Sequence, residues 1–286
     1  MVAATVLFAA MGACVKLASA HAGTAWVVGM RGGVGALIMG VLAWASATRL
    51  ATGVPLLHVR RGVAGVLALS MWFYCMGRLP LATAVTLNYM SSVWMAVMMV
   101  AQAAWRGERM VDRRVLGAIA MGFVGVVMVL HPTIRREQWL AGLTGIASGI
   151  LAALAYIQVT ELGKAGEPEV RVVFYFSLTG TAMGALMGLW PDTDAPTQAA
   201  QAGAWPAATW LYLVGVGVFA TLAQLLMTRA YARGPMLVMA NLQYLGIVHA
   251  SLIGMWLFNE HLRWDGVLGM ALITGSGIWS TRLRQR

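Results

Sequence analysis

Residues 81–105 form a run of 25 amino acids without a charged side chain. Because an α-helix rises about 1.5 Å per residue, about 20 apolar residues are enough to cross a lipid bilayer. The chain as a whole is also apolar, since 60% of its 286 residues are hydrophobic and only 10% are charged. Soluble domains carry roughly 25% charged residues. The sequence therefore predicts an all-α, polytopic membrane protein in contact with the lipid bilayer.

The same criterion predicts ten transmembrane helices. They lie at residues 2–20, 26–46, 62–77, 82–105, 115–132, 140–160, 170–190, 208–229, 236–258 and 265–281. The first segment also resembles a secretory signal, because the small residues 18–20 imitate a cleavage site. It lacks a basic leader and carries Lys16 next to that site, so a first transmembrane helix is the favoured interpretation.

The basic residues are distributed unequally between the predicted loops. With a cytoplasmic N-terminus, 14 Lys and Arg residues fall on the cytoplasmic side and 4 on the other, while Lys16 and Arg31 lie within spans. Positive charge resists translocation, so this asymmetry predicts a bacterial-type inner (plasma) membrane protein with both termini in the cytoplasm. The clustering of these residues indicates topology, and the net charge of +10 therefore does not predict a nucleic-acid partner.

Residues 79–117 and 234–269 are similar to each other. Four positions match in order, namely Pro80 with Pro235, Tyr89 with Tyr244, Glu108 with Glu260, and Gly117 with Gly269. The copies are five spans apart, and an odd number of spans means that the second copy enters the membrane in the opposite direction. Inverted repeats are typical of secondary transporters. We therefore predict two five-helix repeats, residues 1–137 and an inverted copy at residues 138–286.

These motifs resemble the drug/metabolite transporter superfamily, EamA type. The resemblance is carried by "PLATAVTLNY" followed by "RGER", by "GPMLVMANLQY" followed by "NEHL", and by Lys16 and Arg31. It implies a ten-helix inner-membrane carrier that moves metabolites, often outward. "LNY" at 87–89 is similar to YddG-like amino-acid exporters, although Ser91 and Ser92 stand where those proteins have Trp-Pro. "MWFY" at 71–74 also resembles carriers proposed for S-adenosylmethionine uptake.

Polar and aromatic side chains in the middle of spans are the candidate substrate-binding residues. A polar group in hydrocarbon costs free energy unless it has a partner or lines a cavity. Polar groups could hold a head group, and aromatic rings could stack on a side chain or hold an ammonium. The alternative for each is interhelical packing. The candidates are Asn88, Tyr89, Ser92, Trp94, Trp72, Tyr74, Asn241, Gln243, Tyr244 and His249.

Charged and small residues within spans have separate interpretations. Lys16 and Arg31 could attract a substrate carboxylate, or their long side chains could snorkel to the membrane interface. The GxxxG pairs 145/149 and 180/184 predict close helix packing within the monomer. Cys14 and Cys75 lack metal-ligand spacing, so they are predicted to be small buried hydrophobic residues.

Missing motifs narrow the predicted mechanism. No Asp or Glu lies in the middle of a span, and the sequence has no phosphate-binding loop and no HExxH motif. We therefore predict a non-enzymatic secondary transporter without cofactor or metal, an exporter or facilitator of small-molecule substrates, most plausibly amino acids, by alternating access. It would function as a monomer, with an oligomer possible. The alternatives are an S-adenosylmethionine or drug/nucleoside-type carrier, a scaffold, and an intramembrane enzyme built on "IASG" at 146–149 and His249.

Overall fold

The computed structural model describes residues 1–76, 78–79, 81–107, 112–132, 136–189, 205–259 and 263–283. Within these ranges every regular element is a helix and no strand occurs, which confirms the predicted all-α class. Several residues used in the repeat and topology predictions lie outside the described ranges: Pro80, Glu108, Arg109, Arg135, Glu260, Arg284 and Arg286.

Twelve α-helices and a short 3₁₀ helix, Arg136–Gln138, make up the described part of the chain. The α-helices are α1 Val2–Ala18, α2 Thr24–Ala45, α3 Pro55–Met76, α4 Leu81–Tyr89, α5 Ser91–Arg106, α6 Arg113–Leu130, α7 Trp139–Lys164, α8 Glu169–Gly188, α9 Ala207–Arg233, α10 Met236–Leu242, α11 Leu245–Phe258 and α12 Trp264–Leu283.

Seven helical segments of the described residues are long and apolar enough to cross a membrane. They are Thr24–Ala45, Thr83–Arg106, Arg113–Leu130, Trp139–Lys164, Glu169–Gly188, Ala207–Arg233 and Met236–Phe258. The chain is therefore a polytopic membrane protein. Helix α1 is apolar but has only 17 residues, and α3 and α12 do not meet the criterion. Crossing of the membrane by all ten predicted spans remains a prediction.

Two of the predicted spans, each of which the structure gives as one apolar helical segment, contain a short irregularity that the sequence did not predict. The regular helix of the span at 82–105 is broken at Met90 between α4 and α5, and that of the span at 236–258 is broken at Gln243 and Tyr244 between α10 and α11. At the second break the backbone N–H of Tyr244 donates to Asn241 O at 3.1 Å, and the N–H of Ile247 donates to Tyr244 O at 3.0 Å. These i→i−3 bonds tighten one turn into 3₁₀ geometry.

Helix α3 begins at Pro55, seven residues before the predicted start at residue 62. Proline is favoured in the first turn of a helix, because its missing N–H would have no intrahelical partner there. Arg60 and Arg61 consequently lie on a helix, whereas the sequence prediction placed both in a loop. Arg60 is exposed, but Arg61 is only 4% exposed and its guanidinium lies 4.1 Å from the centroid of the Phe176 ring.

The described chain divides into two compact units. The first contains Met1–Val2, Leu67–Ile157 and Gly234–Arg286, and α6 packs there extensively against α12. The two backbones touch at Gly125 and Gly269, since a Cβ on Gly125 would lie 2.6 Å from Gly269 O. Gly145 and Gly149 pack in the same unit against Leu87, where a Cβ on Gly149 would lie 2.8 Å from Leu87 O. The predicted packing role of this GxxxG pair is confirmed.

The second unit contains Ala3–Val66 and Gln158–Arg233, and its main contact is between α2 and α8. A Cβ on Gly184 would lie 2.5 Å from Gly29 Cα, and Gly180 faces Gly32, so the second GxxxG pair also packs helices together as predicted. Each unit combines helices from both predicted repeats. The predicted repeats, residues 1–137 and 138–286, therefore do not coincide with the two compact units. The existence of the repeats remains a prediction.

Candidate functional site

Two tyrosines at matched repeat positions meet in the first unit. Tyr89 ends α4 and Tyr244 precedes α11, so each lies at a helix break, and their ring centroids are 6.2 Å apart. The Phe123 ring of α6 lies 6.4 Å from the Tyr244 ring, measured between centroids. The predicted residues Tyr89 and Tyr244 are thus brought together, and we call them the tyrosine pair.

The two members of the tyrosine pair differ in accessibility. Tyr244 is fully buried, and Gly122 makes room for it, since a Cβ on Gly122 would lie 2.7 Å from Tyr244 Cδ2. The Tyr244 hydroxyl lies beside Ser92 but makes no hydrogen bond of standard geometry with any residue in the described ranges. Tyr89 is only half-buried. Tyr89 is therefore the member of the pair that has an exposed surface.

Ser92 and Asn241 are engaged in helix packing in this conformation. The Ser92 hydroxyl donates to Ala240 O at 2.8 Å. The Asn241 amide donates to Ser276 O at 2.9 Å and to Ser280 Oγ at 3.0 Å, and its oxygen accepts from Ser276 Oγ at 3.3 Å. Both side chains are 0% exposed. Their contacts favour the packing alternative over direct binding of a solute.

The two candidate aromatic residues of α3 also contact other residues of the protein. The indole N–H of Trp72 donates to Ala84 O at 3.1 Å and so connects α3 to α4. Tyr74 is 37% exposed, and the guanidinium of Arg78 lies 3.9 Å from its ring centroid. Tyr74 therefore lies at the protein surface, and a role for it in substrate binding remains a prediction.

Four further candidate substrate-binding residues lie on the two interrupted spans. Gln243 is buried at the second break, while Asn88, Trp94 and His249 are half-buried. Trp94 packs beside Gly149, where a Cβ would lie 3.4 Å from Trp94 Cδ1. Its buried indole N–H has no hydrogen-bond partner among the residues that the structure describes. A buried donor without a partner is costly, so this N–H is available to a ligand or a water molecule.

The predicted cations Lys16 and Arg31 have different surroundings. Lys16 is exposed in the last turn of α1, in keeping with snorkelling. Arg31 is half-buried on α2 and lines a small pocket of the second unit, with its guanidinium 5.6 Å from the Phe176 centroid. Arg61, whose guanidinium lies over the same ring, was missed by sequence reasoning. The signal that could have found it is Pro55, which marks the start of α3.

A second polar cluster that the sequence did not predict lies in the second unit, where two loops meet the first turns of α3 and α8. The Glu167 carboxylate accepts from Thr52 Oγ1 at 2.8 Å and Arg171 Nη1 at 2.9 Å, and it lies 3.0 Å from His58 Nε2. Its side chain is 6% exposed. Burial alone would raise the pKa of Glu167, but these hydrogen bonds and the charge of Arg171 together hold that pKa below its ordinary value. The carboxylate is therefore charged at neutral pH and ties the loops together.

The enzyme alternative gains no support from the described geometry. Ser148 of the "IASG" stretch is fully buried, and its hydroxyl donates to Ala68 O at 2.8 Å. Within the described ranges, no three His, Cys, Asp or Glu side chains are grouped so that they could hold a metal ion. Ser148 is thus committed to helix packing and is not placed as a nucleophile.

The apolar helices of this chain are those of a polytopic membrane protein. The EamA-like transporter family matches residues 139–281. The pseudopaline exporter CntI of Pseudomonas aeruginosa is 31% identical over 258 residues, which cover 90% of this chain and 85% of that protein. The chain therefore belongs to the EamA-like transporter family of the drug/metabolite transporter superfamily, as the sequence motifs predicted.

More distant similarities agree with this assignment. The riboflavin transporter of Vibrio cholerae is 25% identical over 176 residues, covering 61% of this chain and 54% of that protein. A solved structure has a TM-score of 0.80 at 19% identity and covers 99% of this chain and 97% of its own, which shows the shared fold. The relatives are transporters of small molecules, and their names do not point to amino acids in particular.

Proposed function

We propose that this protein exports a small polar metabolite across the inner membrane by alternating access, with amino acids as the first substrate class. The observation that carries the proposal is the tyrosine pair, Tyr89 and Tyr244, at the interruptions of two apolar helical segments. Secondary transporters commonly build their substrate sites where membrane helices are interrupted, because polar groups become available there.

The polar and aromatic side chains near the break between α4 and α5 suit a zwitterion. The face of the half-buried Tyr89 ring can hold an ammonium group by a cation–π contact. The indole N–H of Trp94 and the amide of Asn88 can donate hydrogen bonds to a carboxylate, and His249 is half-buried further along α11. Ser92 and Asn241 would support this group of residues by holding α5, α10 and α12 together.

Two packing features support the proposal of two inverted repeats. Span n of the first predicted repeat corresponds to span n + 5 of the second. Helix α2 packs against α8, and α6 packs against α12, so each main contact joins a helix to its counterpart in the other repeat. The helix breaks also fall at the matched residues Tyr89 and Tyr244. Two similar halves can exchange conformations, which is the physical basis of alternating access.

Pseudopaline is the second candidate substrate, favoured by the 31% identity to an exporter that carries this name. Riboflavin, S-adenosylmethionine and nucleoside-type drugs complete the range that the family suggests. The experiment is efflux of these compounds and of a panel of labelled amino acids from proteoliposomes, with and without an imposed pH gradient. We expect saturable amino-acid efflux that is indifferent to the gradient. Efflux of pseudopaline alone would contradict the amino-acid assignment and support the second candidate.

Variants near the break between α4 and α5 test where the solute binds. Asn88→Ala and Trp94→Ala should each lower kcat/KM by about tenfold or more, because a hydrogen bond to a charged group is lost. The matched controls are Gln102→Ala and Trp105→Ala, which remove an exposed amide and an 89% exposed indole from α5. Wild-type rates in both site variants, in protein that elutes as folded, would contradict the proposed binding residues.

A further inference from the structure

Five helices of the second unit come together where α2, α7 and α9 end and α3 and α8 begin. The Glu167 carboxylate joins the loop between α2 and α3 to the first turns of α3 and α8. Arg233 Nη2 at the end of α9 lies 3.1 Å from Glu169 Oε1 at the start of α8. The ends of α7 and α9 touch, since a Cβ on Gly163 would lie 2.5 Å from Ala232 Cβ. The surface formed here, which we call the basic end, comprises residues 46–60, 161–171 and 229–233.

Basic residues outnumber acidic residues at the basic end by six to three. Two of the acidic residues are paired, Glu167 with Arg171 and Glu169 with Arg233, while Glu161 is exposed. Four basic side chains are exposed and form no ion pair with an acidic residue in the described ranges. They are Arg49, Arg60, Lys164 and Arg229. The basic end therefore presents an excess of positive charge to its surroundings.

Two tryptophans of α2 indicate the depth of the basic end in the membrane. Trp26 and Trp44 lie 18 residues apart on this helix, which corresponds to about 27 Å at about 1.5 Å per residue. Trp44 is 85% exposed, and Trp26 is 43% exposed. Tryptophan collects at the two membrane–water interfaces, which flank a hydrocarbon core about 30 Å thick. Arg49 follows Trp44 by five residues and so lies at the level of the lipid head groups.

The exposed charges project from a well-defined backbone. Helix α7 ends with Gly166 in the left-handed region, at a φ of 76°, which turns the chain between Lys164 and Glu167. The Arg171 guanidinium that binds Glu167 also donates from Nε to Arg49 O at 2.8 Å. The buried Glu167 carboxylate therefore positions the segments that carry Arg49 and Lys164. Cations on ordered segments lose less conformational entropy on binding than cations on mobile ones.

We propose that the basic end binds anionic phospholipids through their phosphate groups. The residues that contact the head groups are Arg49, Arg60, Lys164 and Arg229. Guanidinium and ammonium groups are the side chains that recognise phosphate, and their long apolar stems reach along the membrane interface. Each basic residue close to the membrane surface increases the affinity for anionic lipid by about fivefold. The partner is a component of the bilayer, so the inference goes beyond the transported solute.

The test is lipid-dependent thermal stability of the purified full chain in dodecyl maltoside micelles, because a lipid that binds the folded state raises its melting temperature. Dioleoylphosphatidylglycerol is compared with dioleoylphosphatidylcholine, which has the same acyl chains and no net charge. We expect the melting temperature to rise saturably with the first lipid and much less with the second. Sodium chloride at about 1 M, where the Debye length is about 3 Å, should weaken the effect. Inorganic phosphate at the same concentration should not reproduce it.

A variant pair with equal loss of charge locates the binding residues. Arg49→Gln/Lys164→Gln should raise the half-saturating concentration of dioleoylphosphatidylglycerol by about tenfold or more, because two contacts are lost. The control Arg113→Gln/Arg282→Gln removes two exposed arginines from the first unit and should bind the lipid like the wild type. An equal loss of affinity in both variants would show that binding follows net charge and would overturn the site.

Two further variants test the site independently. Arg60→Gln/Arg229→Gln should weaken lipid binding as the first pair does, and it serves if that pair fails to fold. Glu167→Gln raises the net charge by one unit. Attraction by net charge alone would then strengthen lipid binding, whereas the loss of order around Arg49 should weaken it. Stronger binding by Glu167→Gln would contradict the proposed positioning role of this carboxylate.

Two results in the wild-type protein would also overturn the lipid site. They are equal stabilisation by the two phospholipids, and equal stabilisation by inorganic phosphate, which would indicate a soluble anion as the ligand. The binding assay uses no transported solute. Its outcome is therefore separate from that of the efflux experiment, and either proposal can fail alone.

Discussion

The contact between α6 and α12 allows a stability prediction with an internal control. A Cβ on Gly269 would lie 2.7 Å from Gly125 O and 2.8 Å from Val129 Cγ2. The first of these atoms belongs to the backbone of α6, so the helices must separate to admit a methyl group. A Cβ on Gly275, which lies on the same helix, would have no described heavy atom within 4 Å.

The expected magnitude comes from the difference between Gly269→Ala and Gly275→Ala. Both substitutions gain roughly the same helix propensity, about 0.5–1 kcal/mol, so this contribution cancels in the comparison. Overpacking at a tight contact costs about 1–3 kcal/mol. Gly269→Ala should therefore be less stable than Gly275→Ala by about 1–3 kcal/mol in free energy of unfolding.

The assay is reversible denaturation in mixed micelles of sodium dodecyl sulfate and dodecyl maltoside, followed by tryptophan fluorescence. The wild type is measured in parallel, so that each variant has the same reference state. Equal free energies of unfolding for Gly269→Ala and Gly275→Ala would refute the reasoning. In that case the backbones of α6 and α12 would not be in the contact that the structure shows at Gly125 and Gly269.

Two polar contacts give further predictions. Asn241→Ala should lower the free energy of unfolding by about 1–2 kcal/mol, because it removes interhelical hydrogen bonds worth about 0.6 kcal/mol each in a membrane. The same micelle assay checks this, and wild-type stability would contradict it. Because the pKa of Glu167 is held below its ordinary value of 4.5, its stabilisation is complete above that pH and is lost as the pH falls through the lower, folded-state pKa. The melting temperature of Glu167→Gln should be lower than that of the wild type at pH 7 and should fall less in acid. The control Glu161→Gln, at an exposed position, should melt like the wild type. Coincident melting profiles of the wild type and Glu167→Gln would contradict the stabilising role of this carboxylate.

Helix positions could be predicted because hydrophobicity is a local property of the chain. The predicted span 170–190 corresponds to Glu169–Gly188, and the predicted span 140–160 lies within Trp139–Lys164. The predicted start of α3 was wrong because Arg60 and Arg61 are charged, as residues in loops between membrane spans commonly are. Only the tertiary structure shows that Arg61 is covered by the Phe176 ring.

The candidate site was harder to predict, because the role of a polar residue depends on its distant partners. Asn88 and Asn241 are the same residue type on apolar helices, yet Asn241 is bonded to α12, 35 residues further along the chain. The helix break at Met90 contains neither Pro nor Gly and gave no local signal. The contact between His58 in the first turn of α3 and Glu167 in the loop before α8 joins residues 109 positions apart and cannot be deduced from spacing.

The central claim is that the polar break between α4 and α5 lines a path for solutes. Its most direct test is the rate at which a membrane-impermeant thiol reagent labels Asn88→Cys in proteoliposomes, in a background where Cys14 and Cys75 are alanine. Val97→Cys, at an exposed apolar position on α5, is the matched control. We predict that Asn88→Cys is labelled much faster than Val97→Cys and that a transported solute slows this labelling. Equal, slow labelling of the two positions would show that water does not reach the break and would contradict the account.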